Sequence, residues 1–143
     1  HCAEVSPLTV AIGQFVARER LSESGDILAG VDLPSYVEKL IERAEIFCHI
    51  ERGAIAGLVA FYCNDPSKDA AFVTLMLVAA HAKRRGVGQL LLGQVVATAR
   101  TRGFRCCELE VAASNHDAIA FYKRQGFEVS AENSEKLRMR RPL

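Results

Sequence analysis

The segment that most constrains the fold is 71–92, AAFVTLMLVAAHAKRRGVGQLL. An apolar run from Ala71 to Ala80 leads into a basic turn and Gly86-Val87-Gly88, after which an apolar helix pattern starts at once. A short apolar run bounded by turn residues predicts a central strand over 71–79, covered on both faces. A strand, a glycine turn and a helix N-terminus in that order make an anion site. The first N–H groups of a helix have no intrahelical acceptor, and the dipole places about half a positive charge there. Glycines let a phosphate approach the backbone, so a diphosphate is the natural guest. The turn lacks the Gly-Lys-Ser/Thr ending of a Walker loop and the third glycine of a dinucleotide fingerprint. Two glycines before a helix are equally compatible with an ordinary tight turn.

A second motif follows about thirty residues on, Asn115-His116-Asp117-Ala118-Ile119-Ala120-Phe121-Tyr122-Lys123-Arg124-Gln125-Gly126-Phe127. Lys83-Arg84-Arg85-Gly86-Val87-Gly88 resembles the Q/R-x-x-G-x-G/A acetyl-CoA signature of the GCN5-related N-acetyltransferases. The second segment resembles the N-x-x-A-x-x-F-Y-x-x-x-G-F segment of the same family. The resemblance spans roughly residues 36–130, with one departure: Lys83 stands at the first signature position in place of Gln or Arg. Lysine offers phosphate a point charge without a planar fork.

The chain of 143 residues is expected to form one domain over 1–143 with a substantial core. A net charge of +1 argues against a nucleic-acid module, which carries a basic excess. The five cysteines include no C-x-x-C pair, so neither zinc nor dithiol chemistry is indicated and no metal is expected. Cys48, Cys63, Cys106 and Cys107 lie in apolar runs, where free cysteine acts as a small hydrophobe. This predicts a reduced, cytoplasmic protein. No apolar run reaches the ~18 residues of a membrane span, so no membrane partner is expected.

Helices are predicted over 8–20, with Leu8, Ile12, Phe15 and Val16 inward, and over 35–44, capped by Ser35 with Glu38 closing a capping box. In the second, Tyr36, Leu40, Ile41 and Ala44 face inward. Residues 21–34 read as a loop. The family's opening strand is expected to be short or absent. Strands over 45–51 and 54–62 flank the hairpin signal Arg52-Gly53, and Gly57 predicts a bulge or a close backbone approach. A helix over 87–102 turns Leu91, Leu92, Val95, Val96 and Ala99 inward, and Gly103 ends it. The strand 105–112 is then parallel to 71–79, because a helical crossover joins them. The helix 115–125 and a hairpin of 127–131 with 136–141 complete the chain. The fold class is α/β of the α+β type: a mixed, mostly antiparallel twisted sheet, helices on both faces, and a parallel pair that the resemblance implies is splayed.

The resemblance implies acetyl-CoA as co-substrate. Its diphosphate would be held by N–H groups from Arg84 to Gln89, with Lys83, Arg84, Arg85, Gly86, Val87, Gly88 and Gln89 forming the site; one of Arg84 and Arg85 points to water. Leu77 and Val78 would pair with the pantetheine arm as an added strand, and the N–H of Val78 or a neighbour would polarise the thioester carbonyl. Asn115 is a favoured N-cap residue, and the resemblance adds a bond to pantetheine. Ala118 and Phe121 would pack on the cofactor arm, with Phe121 the buried residue. Tyr122 is the expected catalytic acid, protonating the departing thiolate. For the base, Glu110 is preferred over Glu108, His81, Asp69 and His116, with a water chain as the alternative. The expected reaction is direct attack by a primary amine of a small metabolite, an amino sugar among the candidates. The acceptor pocket is expected among residues 21–36, 61–69 and the C-terminal hairpin. A protein or peptide N-terminus or lysine is the other acceptor class, and a non-catalytic acyl-CoA sensor the rival function. The assembly is a monomer or homodimer.

Overall fold

The computed structural model describes residues 7–22, 25, 26, 28 and 30–143. Any opening strand over residues 1–6 lies outside the described residues. Helix α1 spans Pro7–Glu19 and buries Ile12, Phe15 and Val16. Leu8, expected inward, stands clear of the core in the first turn, 57% exposed. Within the expected loop, β1 (Leu21–Ser22) and β2 (Gly25–Asp26) form a short antiparallel ladder.

Helix α2 (Leu33–Arg43) starts earlier than expected. Asp32 is its N-cap, without a side-chain cap bond, and Pro34 occupies the first turn. Proline is pre-set for that position because its φ is already helical and its missing N–H would be unpaired there anyway. Ser35 and Glu38 therefore lie inside the helix, and the expected capping box does not form. Val37 and Leu40 are buried, while Tyr36 is half-buried.

Strands β3 (Glu45–Glu51) and β4 (Ala54–Tyr62) pair antiparallel. Their register shifts between His49 and Ile50, opposite Gly57 and Ile55, so the bulge falls beside Gly57. Gly57 also meets the close-approach expectation: a Cβ there would lie 2.6 Å from Val87 Cγ1 and 3.0 Å from Leu91 Cδ1. Strand β5 (Ala70–Val78) follows, then a 3-10 turn at Ala80–Ala82 and helix α3 (Val87–Thr101). All five residues expected on the inward arc of α3 are buried, with Val87 added. Strand β6 (Cys106–Ala112), helix α4 (His116–Arg124), and strands β7 (Glu128–Glu132) and β8 (Lys136–Pro142) complete the order.

The main sheet runs β3-β4-β5-β6-β8-β7, antiparallel throughout except for β5–β6. Strand β5 is central, as expected, but only one face is fully covered. Ala71, Val73, Leu75 and Leu77 are buried; Phe72, Thr74, Met76 and Val78 are half-buried. The core gathers Phe15, Phe61, Phe127, Leu58, Leu91, Leu109 and Met139. Cys63, Cys106 and Cys107 are buried within it as free thiols, and burial pushes Cys107 up to about 12. No described helix is long and apolar enough to cross a membrane.

Candidate active site

Two features at the C-terminal end of β5 make the site. The first is a fork. Strands β5 and β6 pair only from Ala70↔Cys106 to Val73↔Leu109. Beyond that point Thr74–Val78 of β5 and Glu110–Ala112 of β6 have no ladder partner in each other. The Ala79 N–H donates to Ala56 O on β4 at 2.8 Å. Alternation along the strand therefore turns the Val78 N–H the other way, into the fork. Val78 is half-buried beside it and Leu77 is buried.

The second feature is the turn. Arg84 has φ 67° and Gly86, the N-cap of α3, has φ 83°. Glycine adopts this left-handed state without strain, whereas Arg84 does so at a steric cost. From Arg84 through Val87 and Gly88 to Gln89, no backbone N–H donates to a backbone carbonyl among the described residues; the helical ladder starts at Leu90 N–H→Gly86 O, 3.0 Å. Six consecutive amides are thus available, at the positive end of the helix dipole. At Gly88 the close neighbours are side chains of the protein itself, and the missing Cβ lets α3 pack on them. A Cβ there would lie 3.3 Å from Phe121 Cζ and 3.7 Å from Val78 Cγ2. Coenzyme A fits this pair of features, an extended arm in the fork and a diphosphate on the amides. Glu19 Oε1 accepts the Ala80 N–H at 3.1 Å and moors the turn to the end of α1.

The basic residues divide. Arg85 donates from Nη2 to Glu51 Oε1, and His49 Nε2 meets Glu51 Oε2 at 3.2 Å. The Arg85 guanidinium, then His49, holds the Glu51 carboxyl below its usual range. Lys83 and Arg84 are exposed and have no acidic partner among the described residues. So Arg85 is the arginine turned away from the amides, toward a carboxylate rather than to water. Nothing in the spacing could reveal Glu51, 34 residues upstream on another element.

On α4, Asn115 Oδ1 accepts the Ala118 N–H at 3.3 Å, the expected N-cap bond. The expectation for Phe121 and Tyr122 is reversed. Tyr122 is buried, 9% exposed, between Phe121 (centroids 5.4 Å) and Phe127 (6.0 Å). Phe121 is half-buried, its ring against Gly88. Consecutive helical residues point about 100° apart, and the one that faces the sheet here is Tyr122. Burial, then the neighbouring Cys107, pushes its phenol up to about 12.

Glu110 is the first residue of β6 past the fork point, but it is engaged. Arg138 Nη2 donates to Glu110 Oε2 at 3.2 Å and its Nη1 to Glu108 Oε1 at 3.1 Å. The same guanidinium lies 5.6 Å from the centre of the Phe72 ring. Across the fork, the Tyr36 phenol is beside Thr74; burial raises it, Thr74 partly offsets this, and Tyr62 adds to the rise. Tyr36, an inward residue of α2 and the last of the stretch 21–36 expected to line the acceptor pocket, thus lies beside the unpaired part of β5. Asp69 pairs loosely with Arg105, and His81 and His116 are exposed. Of the expected stretch 61–69, Tyr62 is near enough to act on Tyr36, while the loop 63–69 stands away from the glycine turn. It enters β5 at Ala70, the far end from the glycine turn, below the four paired rungs that precede the fork. There a shallow cavity of about 370 Å³ is lined by Asn64, Asp65, Pro66, Lys68 and Arg102, among others. No group of three or more metal-ligating side chains occurs among the described residues.

A mixed sheet with a forked parallel pair and a helix N-terminus at its mouth is the acetyltransferase fold. The chain belongs to the acetyltransferase (GNAT) family, whose family model matches residues 18–127. An uncharacterized N-acetyltransferase of Methanocaldococcus jannaschii is 35% identical over 100 residues, 65% of this chain and 44% of that protein. The chain thus spans less than half the length of that relative. Among solved structures, nourseothricin acetyltransferase is 27% identical with TM-score 0.62, over 69% of this chain and 65% of that one. The PaiA N-acetyltransferase of Thermoplasma acidophilum, in complex with coenzyme A, is 17% identical with TM-score 0.76, over 94% of this chain and 92% of that one.

Proposed function

We propose that this chain transfers the acetyl group of acetyl-CoA to a primary amine by direct attack. The observation that carries this reading is the set of six open amides, Arg84 to Gln89, at the mouth of the β5–β6 fork. The amides and Lys83 and Arg84 hold the diphosphate. The fork receives the pantetheine arm between Leu77–Val78 and the start of α4, with Asn115, Ala118 and Phe121 along it. The Val78 N–H donates to the thioester oxygen. The amine nitrogen forms its bond to the acetyl carbon, the carbon–sulfur bond breaks, and the amine proton leaves to a base or to water.

Tyr122 serves the leaving sulfur. With its phenol pushed up to about 12, it is protonated across the working range. Full transfer to a thiolate of ordinary pKa ~8.5 is uphill by about 5 kcal/mol in the free protein. Tyr122 therefore acts first as a hydrogen-bond donor to the growing negative charge, and transfer completes only as that charge matures. Glu110 is a poor choice of base while Arg138 holds it; water along the half-covered face of β5 is the simpler route. This same engagement supports the rival reading, a domain that binds acyl-CoA without turnover.

The acceptor we favour is a small-molecule amine, entering between Tyr36–Thr74 and Arg138–Glu110. A protein or peptide amine is the competing class. The test is release of free thiol from acetyl-CoA with a panel of small amines and short peptides. Turnover with small amines alone supports the reading, turnover with peptides alone replaces the acceptor, and coenzyme A binding with no turnover supports the sensor. Tyr122→Phe should lower turnover at least tenfold, and by ~10² or more where the full general-acid effect is lost, with coenzyme A affinity nearly unchanged.

A further inference from the structure

Arg85 and Glu51 have a geometry that the diphosphate reading does not use. The side chain of Arg85 leaves the turn sideways, toward the last residue of the edge strand β3. Both partners are open to water, 51% and 30% exposed. A pair this exposed is held weakly and is easily exchanged. Its carboxylate would not be stranded by an exchange, because His49 keeps the second oxygen. Lys83 and Arg84 have no acidic partner among the described residues, so they are the cations free for a diphosphate on the amides, while Arg85 is engaged by Glu51.

Coenzyme A carries a second anionic group, the 3′-phosphate on its ribose. A phosphomonoester is close to dianionic at neutral pH and presents three acceptor oxygens. A planar guanidinium binds such a group through two parallel bonds, more strongly than it binds an exposed carboxylate. From this, and resting on the reading of the Gly86–Gly88 turn as a diphosphate site, we infer that Arg85 exchanges Glu51 for the 3′-phosphate when coenzyme A binds. Glu51 is the resting partner of that arginine. It keeps the guanidinium extended at the sheet edge and takes it back when the cofactor leaves.

The two partners of one ion pair should then act with opposite signs. Calorimetric titration with coenzyme A and with dephospho-coenzyme A, which lacks the 3′-phosphate, reads this directly. Loss of one charge-assisted contact predicts that Arg85→Gln weakens coenzyme A roughly tenfold. The same variant should leave dephospho-coenzyme A within about twofold, so that the preference for the 3′-phosphate disappears. Glu51→Gln removes the competitor and should tighten coenzyme A about two- to fivefold. If Arg85→Gln weakens both ligands alike, the arginine serves the diphosphate and the inference fails. It fails equally if Glu51→Gln weakens coenzyme A, since Glu51 is then a strut for the turn. If wild type binds both ligands and Arg85→Gln changes neither, only this inference falls. If wild type binds neither, the diphosphate reading falls with it.

Discussion

Helix α3 meets strand β3 at both of its ends through an arginine and a glutamate, and the two ends differ in every other respect. At the C-terminal end Arg102 donates to Glu45 from both terminal nitrogens, one at 2.7 Å, and to the Cys63 carbonyl at 3.1 Å. The Gly103 and Phe104 N–H groups close the helix onto Arg100 O and Ala99 O, and β5–β6 pairing is continuous beside it. At the N-terminal end Arg85 has one carboxylate oxygen, the amides are open, and the strands have parted. The closed end is fastened by several bonds to fixed backbone. The open end has one exchangeable contact and unspent donors. In one helix, fastened and open backbone thus lie at opposite termini.

Substitutions can break this contrast. The largest effect is expected from Gly88→Val at the open end, where the new side chain collides with Phe121 and displaces the helix start that carries the amides. Losing two charge-assisted bonds of ~1.5 kcal/mol each is roughly a hundredfold in coenzyme A affinity. Unchanged affinity would remove the glycine turn from the site.

Next comes Gly57→Val, which drives a Cβ into Val87 and Leu91 under the same helix end. Overpacking of this kind costs about 1–3 kcal/mol, read as a lower midpoint in urea. An unaltered midpoint would mean that α3 rides on β4 less tightly than the contact implies.

The buried phenol gives a comparable effect in alkali. Burial pushes the Tyr122 phenol up to about 12 in the folded state, above the ordinary phenol value of about 10. The folded state therefore holds its proton where the unfolded chain releases it. The associated stability is complete below pH 10 and is lost as pH rises from 10 toward 12, about 3 kcal/mol in all. Tyr122→Phe should flatten that part of the stability–pH curve; equal alkaline loss in both proteins would place the phenol in water.

The smallest change is expected from Arg102→Ala, an exposed clamp. It should lower Tm by a few degrees and leave coenzyme A affinity intact, the reverse of the Gly88→Val pattern.

Much of this was readable from the chain. The strands 45–51 and 54–62, the dual role of Gly57 and the inward arc of α3 follow from short-range periodicity, because burial on one face repeats within each element. The misses have physical causes. Pro34 competes with Ser35 for the helix start, and the fixed φ of proline wins. Adjacent Phe121 and Tyr122 are both aromatic, so apolar pattern could not choose which one meets the sheet. Glu51 and Arg138 act through contacts to residues 34, 30 and 28 positions away. Most of the stretch 61–69 stands away from the acceptor side because the paired segment Ala70–Val73 lies between its loop and the fork.

The four-pair ladder at the base of the fork has a mechanical consequence. It is the seam between two three-stranded antiparallel blades, β3-β4-β5 and β6-β8-β7. Because the seam occupies one extremity only, backbone hydrogen bonds between sheet strands tie the two blades together at Ala70–Val73 and Cys106–Leu109 alone. Beyond it the connection between the blades is carried by helix α3, which packs on β3, β4 and β5 of one and β6 of the other.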